Sequence, residues 1–319
     1  MRRPLRLGLI GTGVAARELY LPAFKELKGK VQVVACANRR RDKAEAFARL
    51  VGAKTVTDNA EELIALDEVE AVMISLPINV QPNYVLASLR ANKPVLSEKP
   101  VAPSVREGKK LLVAAGRLKV PWCVAENFAF MSHAERLISW ATSGRLGEVR
   151  LVQVLQLTKM DKTNPYFSTS WRQAPAHVGG FVLDAGVHVA HVVRRCLGMP
   201  SATRGFVAAY DPKLPPMDTA VAALRFRGGV VGTWTSCFSV NGDAPLLKLY
   251  GERANAELYW DRAVLWDKGK KERVYPCKRN SFSAEIEHFS DVVRRGAAPL
   301  VTPKDALLDL QLIESICRA

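Results

Sequence analysis

No stretch of this 319-residue chain approaches the uninterrupted apolar run that crosses a bilayer, so a membrane-spanning helix and a membrane partner are not expected. Clustered cysteines are also missing. Cys36, Cys123, Cys196, Cys237, Cys277 and Cys317 are scattered, mostly among apolar residues, and none falls in a CxxC or Cys/His spacing. That excludes the usual zinc frameworks and predicts reduced, mostly buried thiols without a metal site. Cys237, Cys277 and Cys317 are evenly spaced, but their flanks (TSCFS, YPCKR, SICRA) share nothing, so no repeat is read from them. Acidic residues are scarce, 31 against 46 lysines and arginines, leaving a formal charge of +15. Such an excess invites a nucleic-acid reading. The basic residues nevertheless fall in short separate groups: Arg39 to Arg41, Lys109-Lys110, Lys268 to Arg273 and Lys278-Arg279. Aromatics do not interleave with them, and no recognition-helix or finger motif accompanies them. Solvated faces plus one site for a phosphate or acidic ligand are expected, with no specific nucleic-acid partner.

The opening MRRPLRLGLIG places basic residues before apolar ones, as a signal peptide does. Its apolar run is short and broken by Gly8 and Gly11, so it reads as a first strand with no cleavable segment. A cytoplasmic or other reducing intracellular compartment is expected. With 48% apolar and 24% charged residues the composition is globular, and the length predicts two cores. The rhythm of the sequence divides it into residues 1–126 and 127–319.

The first part is organised around Arg6 to Leu27. Apolar residues run into a turn at Gly11-Thr12-Gly13, and a helical pattern opens at Val14, Ala15 and Ala16. Gly11 allows a tight turn, Gly13 allows close backbone approach to a pyrophosphate, and Ala16 suits a helix-strand contact. A phosphate there would meet the unpaired amides of the first helical turn. Strand and helix signals then alternate: Val31–Ala37, a helix over 42–50, a strand over 54–57, a helix over 59–66, a strand over 71–75, a helix over 82–91, a strand over 95–97, a helix over 104–118, and Trp122–Ala125. Short links between such elements predict an α/β fold with a parallel sheet covered on both faces. Functional residues belong at the carboxyl ends of its strands, where Gly11, Asn38, Leu76-Pro77 and Glu98-Lys99-Pro100 fall. A carboxylate at the end of the second strand would favour NAD. Here stands Asn38, followed by Arg39, Arg40 and Arg41, a set that accepts a 2'-phosphate and favours NADP(H), with NAD(H) as the alternative. Lys99, beside the crevice and before a proline, can hydrogen-bond a substrate hydroxyl or stabilise an alkoxide.

Past Asn127 the rhythm changes. A helix over 134–142 precedes a long strand from Val149 and a loop from Met160 to Gly180 that holds Trp171-Arg172. The helix from Val182 carries Asp184 and His188 on one face. His191 extends that face and reads as a packing residue. Short strand candidates follow between 202 and 266, then an amphipathic helix over 282–293 expected to lie across their sheet, and a last helix, Pro303–Cys317.

GLIGTG (Gly8 to Gly13), SEKP (Ser97 to Pro100), AENF (Ala125 to Phe128), SGRLGEV (Ser143 to Val149), Trp171-Arg172, GGFVLDAGVH (Gly179 to His188) and SAEIEHF (Ser283 to Phe289) together give the chain a likeness over nearly its whole length. It resembles the family of glucose-fructose oxidoreductase, inositol 2-dehydrogenase and related NAD(P)-dependent sugar and polyol dehydrogenases. The resemblance implies a Rossmann domain followed by an α+β domain with a large open, mainly antiparallel sheet, and a homodimer or homotetramer formed through that sheet. It implies Lys99 as the catalytic lysine that binds substrate, His188 as the acid/base, and Asp184 as the residue that binds substrate or supports the histidine. Leu76, Pro77, Asn79, Gln81, Glu98, Asn127, Trp171 and Arg172 are implied around the cofactor and the substrate entrance. The implied reaction is hydride transfer to or from a hydroxyl or carbonyl carbon of a sugar, cyclitol or similar small polar substrate. A tightly bound NAD serving glycoside cleavage or epimerisation, and a noncatalytic nucleotide-binding partner, stand as alternatives. Two departures are visible. The family's proline-asparagine-x-x-histidine turn reads Pro77-Ile78-Asn79-Val80-Gln81 here, and the chain stops at Arg318-Ala319 where relatives usually continue.

Overall fold

The computed structural model describes residues 3–267 and 269–319; Met1, Arg2 and Lys268, which opens one of the basic groups, lie outside the described residues. Contacts divide the chain into two units, residues 1–127 with 280–307 and residues 128–279 with 308–319.

The first unit holds β1 (Leu5–Ile10), β2 (Val31–Ala37), β3 (Thr55–Thr57), β4 (Ala71–Ile74), β5 (Val95–Glu98) and β6 (Trp122–Ala125). They form one parallel sheet in the order β3-β2-β1-β4-β5-β6. β4 and β6 are buried at every position, as strands covered on both faces must be. The covering helices are α1 (Leu21–Glu26), α2 (Arg41–Val51), α3 (Ala60–Ala65), α4 (Gln81–Arg90) and α5 (Val105–Gly116). Local signals set their ends. The Asn59 side chain accepts from the Glu61 amide at 2.9 Å, and the Ser104 hydroxyl accepts from the Glu107 amide at 3.2 Å. The first helix departs from the expected continuous run. Ala16–Tyr20 form a π turn, closed by the Leu21 amide on the Ala16 carbonyl, before α1 begins. Pro22 has no N–H for the carbonyl four residues back, and the ladder widens just ahead of it.

The second unit holds α6 (Ser132–Thr142), β7 (Val149–Leu157), the short α7 (Ser170–Gln173), α8 (Gly180–Leu197), β8 (Pro200–Ala208), β9 (Thr219–Phe226), β10 (Val231–Cys237), β11 (Leu247–Gly251), β12 (Ala254–Leu258), β13 (Arg262–Asp267) and β14 (Lys270–Pro276). The strands make an eight-stranded sheet ordered β14-β13-β12-β11-β7-β10-β9-β8, antiparallel except where β10 lies parallel to β7. Burial alternates along β9 and β10, so one face is packed and the other open, and Trp234 is fully enclosed on the packed side. β14 falls in the basic group that the sequence suggests is a solvated run; charged side chains there mask the period of two.

A helix from the far end of the chain completes the first unit. α9 (Ser281–Arg295) contributes Ile286, Phe289 and Val292 to the core that contains Leu7, Leu9, Tyr20, Phe24 and Phe47. It is grouped with the first unit, whereas the sequence predicts a helix belonging to the second sheet. Its partners come from the π turn and α1: Phe282 meets the Tyr20 ring edge-on at 5.6 Å, and the Ser283 hydroxyl bonds Glu26. Periodicity shows that a helix has an apolar face but not which sheet receives it. α10 (Pro303–Cys317) follows, its residues through Leu307 grouped with the first unit. Among the described residues no helix is long and apolar enough to cross a membrane, and no three metal-binding side chains are grouped for an ion. All six cysteines are free, and burial pushes the Cys36 and Cys123 thiols up to about 12.

Candidate active site

At the carboxyl end of β1 the chain turns on Gly11, whose amide donates to the Ala37 carbonyl at 2.8 Å. Its φ is +95°, and a Cβ would sit 2.1 Å from the Ser75 carbonyl oxygen, so only glycine fits. Gly13 differs. A Cβ there would meet nothing within 4 Å, so no neighbour in the protein demands glycine. What the missing side chain preserves is open space beside the helical turn that begins with Val14 and Ala15, where amides lack intrahelical partners. This cradle fits the pyrophosphate of a dinucleotide.

β2 ends at Asn38. Its side-chain amide donates to the Thr12 hydroxyl at 3.0 Å, and its carbonyl oxygen accepts from the Arg40 amide at 3.0 Å, tying the glycine turn to the start of α2. Arg39 and Arg40 are both exposed. Arg40 forks onto Asp42 at 3.2 and 2.8 Å, whereas Arg39 has no side-chain partner among the described residues. After β4, Leu76 and Pro77 are half-buried and Asn79 is exposed, while the Pro77 carbonyl accepts from the Val80 and Gln81 amides to start α4.

The carboxyl end of β5 runs into a turn held by several side chains. Glu98 accepts from the Tyr20 hydroxyl at 2.6 Å and from the Lys99 amide at 3.2 Å. The peptide bond from Lys99 to Pro100 is cis. Gln81 is fully buried, and its amide nitrogen donates to the carbonyls of Glu98 and Pro100 at 2.8 and 2.6 Å. Its contacts in the structure are thus with the backbone around Lys99. Asn127 is likewise turned to protein, donating to the Ser281 hydroxyl at 3.1 Å. Nearby lies Glu285 of α9, its carboxyl oxygens buried without a hydrogen-bond partner among the described residues. Burial first, and then the nearby Glu98 and Glu126 carboxylates, push its pKa well above the ordinary carboxylate range.

In the second unit, α8 carries Asp184 and His188 one turn apart, Asp184 buried and His188 half-buried. Arg172 donates to Asp184 at 2.8 Å, with its guanidinium 4.0 Å from the Trp171 ring centre and 4.9 Å from that of Tyr166. The long loop is therefore fastened to the helix by an ion pair. The His188 ring stacks on Phe128 at 4.9 Å and 15°, and Phe128 meets Trp260 edge-on at 5.9 Å. His191 points elsewhere, bonding Asp309 at 2.9 Å beside Arg194, in keeping with a packing role. The sequence offers no signal for Phe128 as the histidine's platform or for Tyr20 as the partner of Glu98. Both contacts join residues far apart in the chain.

The fold and the glycine turn define an oxidoreductase built on an NAD-binding Rossmann domain. Residues 5–126 match the oxidoreductase family with NAD-binding Rossmann fold, and residues 134–257 match the GFO/IDH/MocA C-terminal domain. The chain belongs to the GFO/IDH/MocA family of oxidoreductases. It is 30% identical over 254 residues to the protein YMR315W of Saccharomyces cerevisiae, covering 78% of this chain and 72% of that one. It is also 30% identical to the dTDP-3,4-didehydro-2,6-dideoxy-alpha-D-glucose 3-reductase of Saccharopolyspora spinosa, over 72% of this chain and 68% of the relative. An oxidoreductase crystal structure from Thermotoga maritima superposes with a TM-score of 0.94 at 33% identity, covering 99% of this chain and 96% of the other.

Proposed function

We propose that this chain is an NADP(H)-preferring dehydrogenase or reductase acting on a hydroxyl or carbonyl carbon of a sugar, cyclitol or similar small polar compound. The observation that carries the coenzyme preference is Asn38 at the end of β2, with no carboxylate in its place to repel a 2'-phosphate and with the Arg39 guanidinium beside it, unpaired among the described residues. Gly11, Gly13, Val14 and Ala15 hold the pyrophosphate, and Asn38, Arg39 and Arg40 hold the adenosine end. Leu76, Pro77, Asn79, Glu98, Asn127 and Trp171 shape the remaining surface of the coenzyme site. The sugar-like substrate class is supported by the Saccharopolyspora relative, a reductase of a nucleotide-linked sugar.

A bound nicotinamide dinucleotide supplies the hydride donor or acceptor. Lys99 donates a hydrogen bond to the substrate oxygen and stabilises negative charge developing there. His188 removes the hydroxyl proton in oxidation and returns it in reduction, the imidazole chemistry suited to neutral pH. Asp184 binds substrate and supports the histidine, with Arg172 fixing its carboxylate on α8. The chain self-associates, as a homodimer or homotetramer, through the open face of its second sheet, where Phe206 is 85% exposed. Six free cysteines suit a reducing compartment.

Fluorescence titration with NADPH and NADH tests the preference, with Arg39→Ala alongside. Tighter NADPH binding that weakens selectively in the variant is the expected result. Equal affinities in the parent protein would defeat the NADP assignment. Turnover retained in separate Lys99→Ala and His188→Ala proteins would remove their assigned roles.

A further inference from the structure

We infer that Gln81 positions Lys99 by clamping the two backbone carbonyls that flank it, a task its uncharged amide performs with two hydrogen bonds from one nitrogen. The inference rests on the reading of Lys99 as the catalytic lysine. A lysine at a strand end is a poor catalyst unless its backbone is fixed, because small displacements of a reacting group lower the rate steeply. Here the peptide groups on either side of the lysine turn are held. The carbonyl of Glu98 and that of Pro100 accept from Gln81 at 2.8 and 2.6 Å, and the Lys99 amide donates to the Glu98 carboxylate at 3.2 Å. That carboxylate is in turn held by the Tyr20 hydroxyl at 2.6 Å.

The remaining atom of the Gln81 side chain makes the case. Oε1 is buried and has no hydrogen-bond partner among the described residues. An unmatched buried acceptor opposes folding, and an apolar side chain of similar length would avoid that penalty. What methionine or leucine cannot supply is the NH2 group, whose two hydrogens serve two carbonyls at once. A neutral imidazole carries a single N–H and can hold only one of them. A glutamate would set acceptors against acceptors.

Amide hydrogen exchange of the full-length protein tests the clamp, read by mass spectrometry on the peptide spanning Glu98 to Val101. In Gln81→Met this peptide exchanges faster, roughly tenfold, while peptides of the second sheet keep their rates. Gln81→His, which retains one donor, gives a smaller acceleration and serves alone if the methionine variant does not fold. Unchanged exchange in the Glu98 to Val101 peptide overturns the inference. Steady-state kinetics then ask whether the clamp acts through the lysine, following NADPH oxidation with the best substrate from a panel of ketoses and aldoses. Gln81→Met lowers kcat roughly tenfold to a hundredfold, leaves NADPH affinity unchanged, and is partly rescued by histidine. In a Lys99→Ala background the same substitution has no further effect on kcat. A full additional loss in that background overturns the assignment of Gln81 to Lys99. If Lys99→Ala itself turns over like the parent protein, the role given to the lysine fails separately, and the exchange result still decides the clamp.

Discussion

Arg40 engages Asp42 with both prongs of its guanidinium, at 3.2 and 2.8 Å, while its neighbour Arg39 stands unpaired among the described residues. The two are therefore unequal candidates for a 2'-phosphate. Arg39→Ala is expected to weaken NADPH roughly tenfold and leave NADH alone, by loss of one charge-assisted bond. Asp42→Asn releases Arg40 and is expected to tighten NADPH by a few-fold, because an exposed pair holds its partner only weakly. Parallel titrations of the two variants check both. Glu285 offers a test by pH. Its carboxyl is neutral in the folded protein well above the pH at which an unfolded glutamate ionises, so its stabilising contribution is fully present below the ordinary value of 4.5 and declines as pH rises above it. Denaturant unfolding of Glu285→Gln across that range is expected to lack this decline and to exceed the parent in stability on the alkaline side. The sequence sets Lys99 at a strand end and Asp184 and His188 one turn apart on a helix, and the structure has them in those places, because each position follows from a short local pattern. The Arg172 to Asp184 pair, the Gln81 clamp and the burial of Glu285 follow from no such pattern. Each depends on which distant residue is brought near, and a spacing of residues along the chain carries no such information.

Elements were legible where a single period ran uninterrupted. β2, β6 and α10 have the bounds that the alternation and the turns predict. The π turn over Ala16–Tyr20 was hidden because one proline changes the hydrogen-bond ladder without disturbing the apolar pattern. β14 was hidden because it is an edge strand, where a run of charged residues is tolerated and no apolar alternation is required. The contact between α8 and α10 shows how a helix pair can be locked by one carboxylate. Asp309 is buried, accepts from Arg194 at 2.5 Å and bonds His191 at 2.9 Å. Asp309→Ala strands two basic side chains, and a loss of about 3 kcal/mol is expected. Asp309→Asn keeps part of the hydrogen bonding and loses less. Urea unfolding of the two variants measures the difference.

At the scale of the whole molecule, the second sheet leaves apolar residues on its open face. Phe206 and Val221 are opposite one another in register, at 85% and 43% exposure, and Val231 and Leu151 form a second such pair at 47% and 40%. A face of this kind is covered in a self-associating protein. Val221→Asp, which puts a charge on that face without touching the packed side, is expected to shift the species seen in sedimentation toward the monomer. Unchanged sedimentation would remove this face from the assembly. The other consequence lies in the order of synthesis. β6 ends at Ala125, but Ile286, Phe289 and Val292, which seal the core beneath the first sheet, emerge from the ribosome only after the whole second sheet has been made. The nucleotide-binding unit, first to be translated, is thus among the last to be finished, and its apolar floor waits uncovered while the rest of the chain is produced. A nascent chain of this protein has a long interval in which a chaperone can act and a premature stop leaves the first unit open.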